Sequence, residues 1–301
     1  MDGTNQETAG LIAHGVKVAD RYEVLRTIGA GGMGAVYLVA DHERDGKRMA
    51  MKVMHAQIST DKSYVSRFIR EMELMEQIEH PNVVKVFDFG TFGSIIYFTM
   101  EYVDFPSLEH LLDTGTFKSK LIPHLIIGIA DALEAIHAKD IIHRDLKPGN
   151  ILISDEGQVK ITDFGVARPL VSDLTMQNQK VGSIAYMAPE IWLAKQLTPA
   201  VDYYSLGVML YEVVTGELPY PETDDLVEMM KMHTKRSIPA PNALASNIPG
   251  WLNKLIMRLL SKNPKSRMKY AEKLIEDIRD RFPKTDSEFI SPYDTNELGL
   301  V

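Results

Sequence analysis

"HRDLKPGN", His143 to Asn150, packs one acid, two bases and an amide into eight residues, directly after the apolar pair Ile141 and Ile142. Pro148 keeps this stretch out of a helix interior, because proline lacks the amide and clashes with the preceding turn. A carboxylate at Asp145 can accept a hydroxyl proton, Lys147 can neutralise a moving phosphoryl group, and Asn150 can ligate a cation through its amide oxygen. A merely structural polar turn would explain the proline and the glycine. It would not explain this order of charged groups.

Outward from that stretch, "TDFG" (Thr162–Gly165) follows the strand-like "QVKI" and places Asp163 thirteen residues after Asn150. A carboxylate there is the hard oxygen ligand that Mg2+ prefers. Upstream, "GAGGMGAV" (Gly29–Val36) is a G-x-G-x-x-G-x-V match whose backbone amides can approach a polyanion. A dinucleotide fingerprint requires a helix after the glycines, and a strand-like segment follows instead. A Gly-rich hairpin without a ligand is the plain alternative. "AMK" (Ala50–Lys52) puts a lysine in a strand, where most lysines are simply solvated. Glu71, one of four acids in "EMELMEQIE", is placed to hold the Lys52 ammonium while the amine donates to phosphate oxygens.

With 301 residues and 45% apolar content, the chain can fill one large domain or two lobes. The net charge of -8 argues against nucleic acid or an anionic membrane surface as main partner. Without cysteine there is no disulfide, thiol nucleophile or thiolate zinc site, so a cytosolic setting fits. The opening "MDGTNQETAG" is polar and acidic where a secretory signal is basic and then apolar, so no signal peptide is expected from it. The apolar runs fall short of the roughly 20 residues of a membrane span, so none is expected in this chain, and a cytoplasmic protein or the cytosolic domain of a longer one is the expectation.

The texture divides the chain. Residues 1–20 read as a leader. Residues 21–100 read as a small lobe of five antiparallel strands, "YEVLRTI", "AVYLVAD", "RMAMKVM", "NVVKVFDFG" and "SIIYFTMEYV", with no helix between the first three. One helix carries Val65, Phe68, Met72 and Met75 on a single stripe and ends before Pro81. A hinge at 101–106 leads to a mostly helical lobe over 107–283, and 284–301 is a polar tail. The fold class expected is α+β.

Taken together and in order, "GAGGMGAV", "AMK", "HRDLKPGN", "DFG" and "APE" resemble a eukaryotic-type (Hanks-type) protein kinase domain over Tyr22 to about Arg281, most similar to bacterial members. "DLKPGN" and "GSIAYMAPE" resemble the serine/threonine class. The resemblance implies a bilobal fold, ATP with Mg2+ (Mn2+ as an alternative) as cofactors, and transfer to Ser or Thr of a protein substrate, the chain itself included. It implies that the backbone of Gly29, Ala30, Gly31, Gly32, Met33, Gly34 and Ala35 covers phosphates, and that Lys52 with Glu71 holds them. Ile28, Val36, Ala50 and Leu152 would sandwich adenine beside the gatekeeper Met100, with the backbones of Glu101 and Val103 at its edge. Asp145 and Lys147 would be catalytic, and Asn150 and Asp163 metal ligands. Glu190 with Arg267, and Asp202, would be structural. Arg144 would receive a regulatory phosphate, with Thr175 favoured, Ser172 second, and Ser183 structural near Asp145 and Lys147. A homodimer through the back of the small lobe is a family precedent. A pseudokinase scaffold is the first alternative and a small-molecule phosphotransferase the second. Met51 and Tyr203 depart from the usual pattern without removing a functional group.

Overall fold

The computed structural model describes residues 12–31, 34–54, 62–93, 95–163 and 184–267, together with 276, 278 and 280. Gly32, Met33, Phe164, Gly165 and the hydroxyls of Ser172, Thr175 and Ser183 lie outside these, as do 1–11 and 281–301. The chain divides into two compact units, Met1–Glu79 with Val84–Asp104, and His80–Val83 with Phe105–Val301.

The first unit is built on an antiparallel sheet of β1 (Lys17–Val18), β2 (Tyr22–Gly31), β3 (Gly34–Asp41), β4 (Lys47–Met54), β5 (Val86–Phe92) and β6 (Ile95–Glu101), in the order β1-β2-β3-β4-β6-β5. The expectation of five strands is thus corrected to six. The extra strand, in the stretch taken for a leader, has only two residues, too few to show the alternation by which strands are recognised. Val18 is nevertheless fully buried. A short 3-10 turn, His42–Arg44, also stands between β3 and β4, capped by the Asp41 carboxylate accepting from the Glu43 amide. Arg21 ties the strand ends together, donating from Nε and Nη2 to the two Asp41 oxygens at 2.7 and 2.8 Å and from Nη1 to Asp88 at 3.1 Å.

Alternation along the strands separates two faces. Tyr37, Val39, Met49, Met51, Val53 and Tyr97 join Tyr22 and Val24 in one core cluster. The unusual Met51 therefore packs away from Lys52. Val36, Lys52 and Phe98 are cross-strand partners on the opposite face, with Leu38, Ala50 and Met100 beside them. Helix α1 (Lys62–Glu76) buries Phe68, Met72 and Met75, as the stripe predicts, and the Phe68 ring lies 6.0 Å from that of Phe98.

The second unit contains α2 (Leu108–Asp113), α3 (Ile122–His137), the hairpin of β7 (Ile151–Ile153) and β8 (Val159–Ile161), then α4 (Pro189–Trp192), α5 (Ala200–Thr215), α6 (Leu226–Lys235) and α7 (Gly250–Leu259). The segment 80–83, whose Asn82 and Val83 open an expected strand, joins this unit: Asn82 Nδ2 donates to the Val159 carbonyl and the Ile161 amide to the Asn82 carbonyl, each at 2.8 Å. Helix α5 is buried on nearly every side, and a Cβ at Gly207 would come within 2.8 Å of Leu259 Cβ, so only glycine permits this approach of α7. Tyr203, the other departure, packs edge-on against His137 at 5.7 Å. No helix among the described residues is long and apolar enough to cross a membrane.

On α6, His233 is fully buried, stacked on Trp192 and edge-on to Tyr204 and Tyr220. Burial, helped by the nearby Lys262 charge, pulls its pKa from 6.5 down to about 3. A depressed folded-state value means that the unfolded chain takes up the proton first. Stability is then complete above the ordinary histidine range and falls as pH drops toward the folded value. We expect a loss of about 2 kcal/mol between pH ~6.5 and pH ~5 from this residue. Urea unfolding of wild type and His233→Phe at the two pH values checks this, since the pH dependence should shrink in the variant by that amount.

Candidate active site

Within the second unit, the chain from His143 to Asp163 is held from below by Asp202. Its carboxylate accepts the amides of His143 (Oδ2) and Arg144 (Oδ1), each at 2.9 Å, and His137 Nε2 lies 2.8 Å from Oδ2. Burial pushes the Asp202 carboxyl up, but the hydrogen bond and charge of His137 and the Arg144 amide outweigh it, and the group is held below its ordinary value. His143, fully buried, is kept in its neutral form by desolvation. Its Nδ1 accepts from the Asp145 amide at 3.3 Å, which assigns the ring proton to Nε2, facing the Thr162 carbonyl at 3.1 Å.

These bonds place the candidate catalytic groups. Asn150 Nδ2 donates to the Asp145 carbonyl at 2.7 Å, to Asp145 Oδ2 at 3.2 Å and to the Asp163 carbonyl at 3.4 Å, while the Thr162 amide donates to the Asn150 carbonyl at 3.0 Å. Lys147 Nζ stands 3.6 Å from Asp145 Oδ2. Arg144 and Asp163 both have left-handed backbones, φ 64° and 54°. The four residues proposed from the sequence as base, phosphate partner and metal ligands are therefore brought together by the fold. Leu152 alternates with the buried Ile151 and Ile153, so its half-buried side chain faces away from theirs.

The residues fit a hard cation. With its Nδ2 donating to backbone and carboxylate, Asn150 offers its amide oxygen as the ligand. No group of three His, Cys, Asp or Glu suited to a metal occurs among the described residues. One acid and an amide suit Mg2+, which keeps waters and takes substrate phosphates as its other ligands.

In the first unit, Gly31 pairs with Gly34, Ala30 with Ala35 and Gly29 with Val36, and an irregularity between Thr27 and Gly29 leaves Ile28 out of register and 41% exposed. Gly34 is required: its φ is 151°, and a Cβ there would lie 1.9 Å from the Val53 carbonyl oxygen. Gly29 has open space around it, so the fold alone does not demand a glycine there. Ala35 turns into the core cluster, leaving only its backbone for a ligand. Val36, Ala50, Lys52 and Met100 share one face of the sheet, and Glu71 lies one helical turn beyond Phe68, the residue that packs α1 on that face. The Glu101 amide donates to the Lys85 carbonyl at 2.8 Å. Past it, the Tyr102 hydroxyl accepts from Arg26 at 3.1 Å and donates to Asp104 at 2.8 Å, which fixes the segment carrying Val103.

Two contacts escape sequence reasoning. The Tyr186 hydroxyl donates to Glu212, and burial pushes both pKa values up. The Glu109 carboxylate occupies the space beside Gly149, 3.0 Å from where a Cβ would stand. Both join residues far apart in the chain, and no local pattern signals such pairs.

The arrangement has close counterparts. The serine/threonine-protein kinase PrkC of Bacillus subtilis is 33% identical over 270 residues, spanning 89% of this chain and 41% of that protein. PknA of Mycobacterium tuberculosis, also a serine/threonine-protein kinase, is 37% identical over 260 residues, spanning 84% of this chain and 59% of that protein. The chain thus covers about half the length of such relatives. The kinase domain of M. tuberculosis PknI superposes with a TM-score of 0.72 at 24% identity, covering 90% of this chain and 99% of that domain. The family described as protein kinase domain matches residues 22–277. With that match and this constellation of Asp145, Asn150 and Asp163, the chain belongs to the protein kinase domain family.

Proposed function

We propose that the chain transfers the γ-phosphoryl group of Mg-ATP to serine or threonine hydroxyls of proteins. One observation carries this reading: Asn150 ties Asp145 to Asp163, so the hydroxyl-activating acid and the two oxygen ligands share one hydrogen-bonded set. Bound Mg2+ would supply charge neutralisation on the phosphates. Asp145 orients the acceptor hydroxyl and takes its proton, and Lys147 beside it supplies positive charge to the group in transit. Asn150 and Asp163 hold oxygen atoms toward the metal, and Lys52 with Glu71 positions the remaining phosphates. The serine/threonine assignment is supported by the relatives named above and by "DLKPGN". Arg144 is proposed to receive a phosphate from the segment containing Ser172 and Thr175, which lies outside the described residues.

Labelled phosphate transfer from Mg-ATP to myelin basic protein and to the chain itself tests the reading. Wild type should transfer, with label on Ser or Thr, and Asp145→Asn should lose at least about 10²-fold. Mg-ATP binding with no transfer by either protein, with or without prior phosphorylation of the chain, would favour the scaffold alternative.

A further inference from the structure

Lys262 follows α7 and reaches into the ring cluster around His233. Its Nζ donates to the Tyr220 hydroxyl at 2.7 Å and lies 3.4 Å from the Tyr204 hydroxyl and 3.5 Å from the Met232 carbonyl. It also stands over the Tyr220 and Tyr204 rings, 4.9 and 5.6 Å from their centres. All three oxygens are uncharged, and among the described residues no carboxylate bonds to this ammonium. The titratable groups around it are Tyr204 of α5, His233 of α6, Tyr220 and Arg267, with Glu190 of α4 bonded to Arg267 rather than to the lysine.

Such surroundings favour the free amine. Burial first, and the Arg267 charge second, bring the Lys262 pKa from 10.5 down to about 8. At pH ~7.5 roughly a quarter of these amines are then neutral, against about one in a thousand for an ordinary exposed lysine. The lone pair is also unclaimed. Tyr220 gives its proton to the Arg236 carbonyl at 2.7 Å, and Tyr204, accepting from Lys262, gives its own to His233 Nδ1 at 3.0 Å. These neighbours accept from the amine and none donates to it, so its electron pair stays open to an electrophile.

The setting also selects the reactant. Lys262 is only partly exposed, which favours a small one. Tyr220 and Arg236 help to line a groove of about 710 Å³ that also carries Glu217 and Glu222, and these acids disfavour anionic acyl donors such as acyl phosphates. Carbon dioxide is both small and neutral. Its product suits the position better than the ammonium does, because Arg267 repels a cation there and attracts an anion.

We propose that Lys262 is a carbon dioxide site, where the neutral amine adds to CO2 to give a carbamate. The N–C bond forms as one C=O π pair moves onto oxygen, and the nitrogen releases one proton to solvent, so nothing is oxidised or reduced. The cation that holds Tyr220 is thereby exchanged for an anion drawn to Arg267, at the place where side chains of α4, α5 and α6 meet.

The test equilibrates the full chain with 13C-labelled CO2 and bicarbonate, traps carbamates as ethyl esters with triethyloxonium, and locates the label by peptide mass spectrometry. Lys262 should carry at least about tenfold more label than the exposed Lys254, and the chain's α-amino group, with an ordinary pKa of about 7.7–8.0, is the positive control. At fixed dissolved CO2 the yield at Lys262, while small, should rise about a hundredfold per pH unit below about 8 and about tenfold per unit above, since one proton leaves to free the amine and one more on reaction. Lys254 should keep the steeper slope throughout. In denaturing urea the preference for Lys262 should vanish. Label on the α-amino group with none on Lys262, or no more on Lys262 than on Lys254, would overturn the proposal. So would a preference that survives unfolding, which would belong to the local sequence. Acetyl phosphate, as an anionic donor, should show no preference for Lys262, and a preference for it without carbamate would overturn the assignment to CO2.

Discussion

An Arg267→Met variant should lose about 3–5 kcal/mol of stability, the usual cost of stranding one partner of a buried ion pair. Arg267 is 0% exposed and its partner Glu190, in the first turn of α4, only 3%. The guanidinium also donates from Nη1 to the Ser261 carbonyl at 3.2 Å and sits 5.2 Å from the centre of the Tyr204 ring. Most of the loss comes from leaving the Glu190 carboxylate without a counter-charge, because an apolar pair of similar volume can substitute for a buried ion pair at little cost. The double variant Glu190→Met/Arg267→Met should therefore recover most of the stability in chemical denaturation. If the double variant is as unstable as the single one, Arg267 acts through Ser261 and Tyr204 rather than through charge.

Asp202→Asn should be nearly as damaging, and in a more revealing way. The change keeps the shape and removes one of two acceptors, so either the His143 or the Arg144 amide must face an NH2 group instead of an oxygen. A buried donor left unsatisfied costs about 1–3 kcal/mol, and the His137 contact loses its charge assistance as well. We expect about 2–4 kcal/mol lower stability and a fall in kcat that exceeds any rise in KM for ATP. The reason is that the backbone carrying Asp145 loses its anchor while Lys52 and Glu71, proposed to hold the phosphates, lie in the other unit. A variant with lower stability but unchanged kcat at low temperature would show that Asp202 serves folding alone.

Much of this was readable before any coordinates. The chemistry-bearing residues fall in short motifs, and helix α1 and the strands β2 to β4 carry clear periodicities, because one side of each must be buried. What escaped detection depends on encounters between distant segments. The pairing of Lys17–Val18 with Tyr22–Glu23 is only a two-residue ladder, and its burial is set by a face that β2, β3, β4 and β6 build. His137 gives no hint, at the end of an apolar helix, that it will meet an aspartate 65 residues later. The placement of segment 80–83 against β8 follows from Asn82 satisfying the Val159 carbonyl, a long-range bond that propensities do not encode. Of the glycines in "GAGGMGAV", only the geometry separates Gly34, where a side chain collides with the Val53 carbonyl, from Gly29, where it does not.

The left-handed backbones of Arg144 and Asp163 bear on timing. Side-chain-bearing residues adopt this conformation at a cost of about 1–2 kcal/mol each, and here the Asp202 carboxylate and the Asn150 side chain supply bonds that hold them there. That cost falls once, when the chain folds, and does not recur at each turnover. In the proposed reaction an arriving hydroxyl meets Asp145 and Asn150 already aimed, so the entropy of arranging them is no part of the barrier. A loop competent for that reaction lasts only as long as its Asp202 anchor, and conditions that loosen the helices beneath it should silence the chemistry before the unit as a whole comes apart.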